Sequence, residues 1–308
     1  MNPSLTRRAL FPALATGSLG LALFSRSLCA AGSSIEAVDI ADRLTLFSGA
    51  GGHVLVQDGP ESLLLVDGGS PQHAVALLDA ITERFDGKPV TALINTHWHL
   101  DQTGANDILG AVGVPIIAHE HTRRWMMRRI EPSWGAPLIP PRAEAALPTR
   151  TFRIQDEWLH DAQQIGLYYT PRAHTDGDIH AVFPASKVIA AGGIAYGGSW
   201  PVLDTVSNGW IGELLDATRV LLSRCDDSTT IVPAAGRLVT RDDLLAQEEM
   251  LDTILGRFRS MSAKGLGSDD MLREGIAADY EATYGDSTEF ILSAWDGLSD
   301  HMRGLGAF

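Results

Sequence analysis

The sequence predicts an α/β protein built as an αββα sandwich with extra C-terminal helices. Three observations carry this. Short apolar runs alternate with longer helical segments early in the chain, the alternation restarts at Gly166, and the chain from about residue 240 onward reads as helix. Two β-rich halves, each followed by helices, bury their apolar surface when two sheets stack face to face with helices outside.

Each element has its own signal. Residues 54–56 and 63–66 are strand-like runs joined through Asp58-Gly59-Pro60, a hairpin-type turn. Residues 71–85 carry Val75, Leu77, Leu78, Ile81 and Phe85 at helical spacing, predicting one buried face. A strand at 90–94, a short helix at 103–109 and a strand at 114–118 continue the βαβ alternation. The second half offers strands at 166–169, 179–183 and 187–191, a helix at 211–222 and a buried strand at 229–232. Thr240, followed by Asp242 and Asp243, is a helix N-cap, and Leu244, Leu251, Leu255 and Phe258 share one face behind it. The segment 131–146, with Pro132, Pro137, Pro140 and Pro141, is the longest stretch without periodicity and reads as a loop shaping a site or its mouth.

Residues 1–31 read as a signal peptide. Arg7 and Arg8 precede an apolar run broken by Pro12, Gly17 and Gly20, and small residues surround Ala30 and Ala31. Thr6-Arg7-Arg8-Ala9-Leu10-Phe11 resembles the twin-arginine export signal, so a periplasmic or secreted protein is expected, with no stable membrane anchor once the signal is removed. The remainder, 32–308, reads as a single domain with a helical C-terminal region. Cys29 leaves with the signal, and Cys225 stands alone, so no intramolecular disulfide can form. The 308 residues carry a formal charge of −14, which excludes nucleic acid as an expected partner and leaves a small-molecule substrate. Removing Arg7, Arg8 and Arg26 with the signal makes the charge more negative. A Walker-type phosphate loop, a Gly-x-Ser-x-Gly elbow and a His-Glu-x-x-His helix are all missing from the sequence.

The chemistry is concentrated where the 90–94 strand runs into Asn95-Thr96-His97-Trp98-His99-Leu100-Asp101-Gln102. In extended backbone, side chains at i and i+2 point the same way, so His97 and His99 can reach one ion, and Asp101 follows on the same side. Imidazoles with one carboxylate suit zinc. A third ligand has to come from elsewhere, and His174, in Ala173-His174-Thr175-Asp176-Gly177-Asp178, stands at another strand end before a tight turn. His119 and His121 repeat the i, i+2 spacing but more simply open a helix.

These residues, with Val66-Asp67-Gly68-Gly69 upstream, resemble the metallo-β-lactamase fold hydrolases over roughly residues 40–243. The resemblance is closest to an exported branch with Thr-His-Trp-His at the first strand end and Ala-His-Thr-Asp-Gly-Asp at the later one. It implies the αββα fold and one or two zinc ions. The departures are as specific as the matches: Gln102 stands where most members have His, Gly193 where many have a metal-bridging Asp, and Ala235 where the last ligand His is expected. The resemblance therefore implies one zinc held by His97, His99 and His174, with Asp101 as a weak remnant of a degraded second site.

The implied activity is hydrolysis of an ester, lactone, amide or thioester carbonyl by a metal-bound hydroxide, with Asp101 orienting the water or acting as base. Asp67 is expected to fix the loop carrying the two histidines, and Asp178 to support His174. Gln102 could bond a substrate oxygen, and His53 lies where members run a loop past the metal. Trp98, Trp134, Tyr196 and Trp200 are expected as pocket aromatics. Two other readings stand beside this one: an inactive ligand-binding or scaffold protein on the same fold, and an iron-dependent oxidoreductase using the same ligands.

Overall fold

The computed structural model describes residues 34–132 and 137–304; the segment expected to be an export signal, with Cys29, and Trp134 lie outside them. The first sheet holds seven strands side by side in chain order: β1 (Glu36–Ala41), β2 (Leu44–Ser48), β3 (Val54–Asp58), β4 (Leu63–Val66), β5 (Val90–Ile94), β6 (Ile116–His119) and β7 (Arg150–Phe152). The first four pair antiparallel, because short turns join them; in the β3–β4 turn the Gly59 N–H donates to the Ser62 carbonyl at 2.8 Å. From β4 onward the pairing is parallel, with α1 (Ala74–Arg84), α2 (Asn106–Ala111) and α3 (Glu120–Met126) in the connections.

The second sheet runs β8 (Gln155–His160), β9 (Gln163–Tyr169), β10 (Ile179–Phe183), β11 (Val188–Gly192) and β12 (Thr230–Pro233). Its neighbours are antiparallel until α4 (Ile211–Arg224) crosses over and makes β11 and β12 parallel. The chain then continues through α5 (Arg241–Ser262), α6 (Ser268–Arg273), α7 (Glu281–Tyr284) and α8 (Thr288–Gly304).

Period-two alternation builds the layers. Leu64 and Val66 of β4 turn inward with Ile94 and Ile117 to meet Leu167, Ile179, Ala181 and Ala190 of the other sheet. Leu63 and Leu65 turn outward onto Leu77 and Ile81 of α1. On the opposite outer face Ile189 and Ile231 pack with Leu214, Leu221, Leu251 and Phe258 of α4 and α5. The expected αββα sandwich with C-terminal helices is the observed one. Thr240 caps α5 reciprocally: the Asp243 N–H donates to its Oγ1, and its own N–H donates to the Asp243 carboxylate.

Local differences have simple causes. Val75 faces solvent rather than the core, because α1 presents Ala74, Leu77 and Ile81 inward. The segment 131–146 is less irregular than its prolines suggest: Ile130 and Ile139 form an antiparallel bridge, and Glu144–Ala146 is one 3-10 turn. Among the described residues no helix is long and apolar enough to cross a membrane.

Candidate metal centre

β4 and β5 end side by side and deliver the site. Asp67 follows β4 with φ +64°, a left-handed conformation that aspartate tolerates better than most residues. From there its carboxylate accepts the Thr96 N–H and the Thr96 hydroxyl, each at 2.8 Å, and so clamps the start of the loop that leaves β5. His97 and His99 project from that loop. His174 comes from the other sheet, in the turn between β9 and β10. Its N–H donates to Asp178 Oδ2 at 2.6 Å, and the same oxygen takes the Thr175 N–H at 2.8 Å. Asp178 thus holds His174 through the main chain rather than through its ring. Burial pushes both supporting carboxyls up, Asp67 to about 8 and Asp178 to about 7, against the hydrogen bonds that favour their charge.

The three rings meet edge to face, with centroids 4.7–4.9 Å apart, and one nitrogen from each lies within 4.8 Å of the others. Every outer nitrogen has an acceptor, and the acceptors assign the tautomers. His174 Nδ1–H donates to the Val202 carbonyl at 2.7 Å. His97 Nδ1–H donates at 3.0 Å to Thr96 Oγ1, whose own proton goes to Asp67. His99 Nε2–H donates to Asp204 Oδ2 at 3.0 Å. The remaining nitrogens turn inward, and His99 Nδ1 and His174 Nε2 are 3.0 Å apart. Two imidazoles on one tetrahedral zinc, at ~2.0–2.1 Å each, stand roughly 3.3 Å apart. The spacing fits one ion.

Protonation supports the same arrangement. Burial, then the neighbouring imidazoles, hold His97 well below its ordinary value and His174 at about 4, so both rings keep free lone pairs at neutral pH. Burial would depress His99 too, but its hydrogen bond to Asp204 and that residue's charge leave it raised.

Asp204 is the residue that sequence reasoning missed. It is buried, its own N–H donates to the His174 carbonyl at 2.9 Å, and Oδ1 caps a short 3-10 turn through the Val206 and Ser207 N–H groups. Ser207 Oγ–H donates to Oδ2, and Trp98 Nε1–H donates to Ser207 Oγ at 3.1 Å, so a buried chain runs from Trp98 to His99. Asp204-Thr205-Val206-Ser207 has the local look of a turn cap and nothing more, which is why its second task is invisible in the sequence.

The imidazoles open on a cavity of about 240 Å³, lined also by Asp101, Gly193, Ala195, Tyr196, Ser199, Val202 and residues 234–236. Asp101 faces it half-buried. The sequence matches the metallo-beta-lactamase superfamily over residues 51–244, more than half of the chain. The chain belongs to the metallo-beta-lactamase superfamily. Two solved structures share its fold. A metallo-beta-lactamase from Pontibacter korlensis is 19% identical and superposes with a TM-score of 0.58, covering 71% of this chain and 99% of its own. The DIM-1 metallo-beta-lactamase is 17% identical with the same TM-score, covering 71% of this chain and 97% of its own. The superfamily match ends at the start of α5, so most of that helix and all of α6–α8 lie beyond it.

Beside the imidazole cluster stand the three residues that the sequence singled out, Gln102, Gly193 and Ala235. Gln102 is fully buried, and its amide is turned to Asp101 Oδ2 at 3.3 Å and the Ala234 carbonyl at 3.4 Å. Gly193 has its α-carbon against His174: a Cβ there would lie 2.2 Å from the ring, so no side chain fits while His174 keeps this position. Ala235 offers no donor. Among the described residues, His97, His99 and His174 form the one cluster of three or more metal-ligating side chains.

Other sequence-predicted residues are spread around this metallo-beta-lactamase frame. His53 Nδ1–H donates to the Pro233 carbonyl at 2.9 Å and anchors the loop after β12 instead of facing the cavity. Trp98 packs edge-on against His99 at 4.5 Å, outside the lining. Trp200 is turned away: its indole donates to the Gly285 carbonyl and its ring stacks on Phe290 of α8. Tyr196 does line the cavity, with its hydroxyl donating to the Val202 carbonyl at 3.0 Å. His119 caps α3 and stacks on Tyr169 at 3.7 Å.

Proposed function

We propose that the protein is a hydrolase with one zinc ion held by His97, His99 and His174, acting on a small molecule with an ester, lactone, amide or thioester carbonyl. The observation that carries this is the set of three imidazoles whose outer nitrogens are all committed to acceptors, leaving three inward lone pairs. The ion supplies Lewis acidity, which brings the pKa of water from 15.7 to about 7 and polarises a carbonyl. The chain supplies the rest. Asp101, facing the same cavity, accepts a proton of the attacking water and orients it. Asp67, Asp204 and the Val202 carbonyl hold the three rings so that no reorganisation is needed during the reaction. A bond forms from water oxygen to the carbonyl carbon, the bond to the leaving oxygen, nitrogen or sulfur breaks, and the proton passes to the leaving group.

We further propose a periplasmic or secreted location, supported by the Arg7-Arg8 segment. A second reading, a ligand-binding protein without turnover, draws on Gln102, Gly193 and Ala235. Elemental analysis decides the root of the matter: the purified protein, zinc-loaded and dialysed, is expected to retain one zinc per chain and His97→Ala none. Substoichiometric zinc in the unaltered protein overturns the proposal, and iron in its place with oxygen uptake favours an oxidoreductase.

A further inference from the structure

One stretch of chain holds two of the three imidazoles. Residues 193–204 leave β11 and reach the 3-10 turn before α4. On the way the Val202 carbonyl accepts the His174 Nδ1–H at 2.7 Å, and the Asp204 carboxylate accepts the His99 Nε2–H at 3.0 Å. The stretch does not shape itself. It is irregular, with Gly197 and Gly198 at its centre, Gly198 at φ +91°, and a single bridge from Gly197 to Gly236. Adjacent glycines leave the backbone free unless something outside fixes it.

The C-terminal helices fix it at two points. Gln247, buried on α5, accepts the Tyr196 N–H at 3.0 Å on Oε1, and its Nε2 donates to the Ile194 carbonyl at 2.9 Å and to Thr218 Oγ1 of α4 at 2.8 Å. An amide on the apolar face of a helix is costly unless its polar atoms are paired, and here both are. Tyr196, seated in this way, donates its hydroxyl proton to the Val202 carbonyl at 3.0 Å. Trp200 is the second point. Its indole donates to the Gly285 carbonyl at 2.8 Å, between α7 and α8, and its ring packs on Tyr284 and Phe290. Pro201, with its fixed φ, is all that separates Trp200 from Val202. Both routes end on the carbonyl that orients His174. Gln247, Gly285 and Phe290 lie beyond residue 244, where the superfamily match ends.

Resting on the metal-centre reading above, we propose that Gln247 and Trp200 are positioning residues: through them α5, α7 and α8 hold the 193–204 stretch so that the Val202 carbonyl keeps His174 Nε2 turned toward the ion. The helices beyond the superfamily match are then part of the site. His97 is the internal control, because its acceptor Thr96 belongs to the loop after β5 and is held by Asp67.

Long-range proton–nitrogen correlation spectra of metal-free protein at neutral pH read each imidazole tautomer, and chelator competition reads zinc affinity. In the unaltered protein His97 and His174 are both expected as single Nδ1–H tautomers. Gln247→Met and Trp200→Ala are each expected to give His174 a mixture of tautomers while His97 keeps its own. Zinc affinity is expected to fall about tenfold in both, the low end of what loss of a ligand's own partner costs. Trp200→Phe, which keeps the stacking, is expected to fall between Trp200→Ala and the unaltered protein. Leu255→Ala, on the same buried face of α5 and about two turns beyond Gln247, is expected to lower stability and leave His174 unmoved. An unchanged His174 in both Gln247→Met and Trp200→Ala overturns the inference. So does equal scrambling of His97 and His174, or scrambling of His174 by Leu255→Ala, since either would mean general loosening. Tautomer loss at His174 in the variants, with no zinc retained by the unaltered protein, supports this inference and overturns the hydrolase reading. Zinc retained and an ester hydrolysed, with His174 unmoved in every variant, does the reverse.

Discussion

One side of the cavity carries three imidazoles, each pinned at its outer nitrogen by Thr96, Asp204 or the Val202 carbonyl; the rest of its lining includes Asp101, Gly193 and Ala235, with Gln102 buried behind Asp101. The first wall is over-determined. Remove any ligand and the acceptors behind it remain. The second has neither the ligands nor the supports, and at Gly193 the ring of His174 has taken the space a side chain would need. The two walls are therefore coupled: the imidazole wall leans into the other at Gly193, so no side chain can be added there while His174 keeps its position.

Gly193→Asp breaks the comparison most sharply. If the walls were independent, the new carboxylate would recruit a second ion. Because its Cβ would lie 2.2 Å from the His174 ring, we expect loss of zinc from the existing cluster and destabilisation of ~1–3 kcal/mol or more, read by elemental analysis and chemical denaturation. Next comes Asp204→Asn. The amide oxygen can still cap the Val206–Ser207 turn but cannot serve His99 as well, so zinc affinity should fall about 10–100-fold in chelator competition with little change in fold. Unchanged affinity would show that the ring is held by packing alone.

The effect furthest from the metal centre concerns a buried imidazole that faces neither wall. His180 is held down to about 3, mainly by burial and then by Arg224, against an ordinary 6.5. The unfolded chain therefore binds the proton more readily. The stability that neutral His180 contributes is complete above pH 6.5 and is lost progressively as pH falls toward 3. Thermal melts of metal-free protein should show this decline, and His180→Phe should make it shallower, leaving the part due to His97 and His174. That baseline is what acid-induced loss of metal has to be measured against.

Sequence legibility followed the same physics. β4 and the Ala92-Leu93-Ile94 end of β5 could be read because both of their faces are apolar and buried, and α5 because Thr240 and Asp243 announce it. Strands β1, β7 and β8 went unread at the sheet edges: β1 is largely exposed, β7 is three residues long, and β8 is mostly polar, with Leu159 exposed and Trp158 only half-buried. β2 was missed despite its buried run Leu44-Thr45-Leu46-Phe47. At the site, His97 and His99 were visible through local spacing. His174 needed the resemblance to bring it across the chain. Asp204 was invisible because its partner His99 lies 105 residues away. Tyr196 and Trp200 looked equivalent in sequence, yet only Tyr196 faces the cavity, since α7 and α8 draw the Trp200 ring toward Tyr284 and Phe290.

The origin of the three imidazoles has a mechanical consequence. His97 and His99 leave the first sheet and His174 the second, 75 residues after His99, so an ion shared among them would be a rivet between the two layers. Its affinity would be counted twice, once at the site and once as resistance to separation of the sheets, growing with the logarithm of free metal. For a chain with one described cysteine, and that one free, such a rivet is the cross-link available in place of a disulfide.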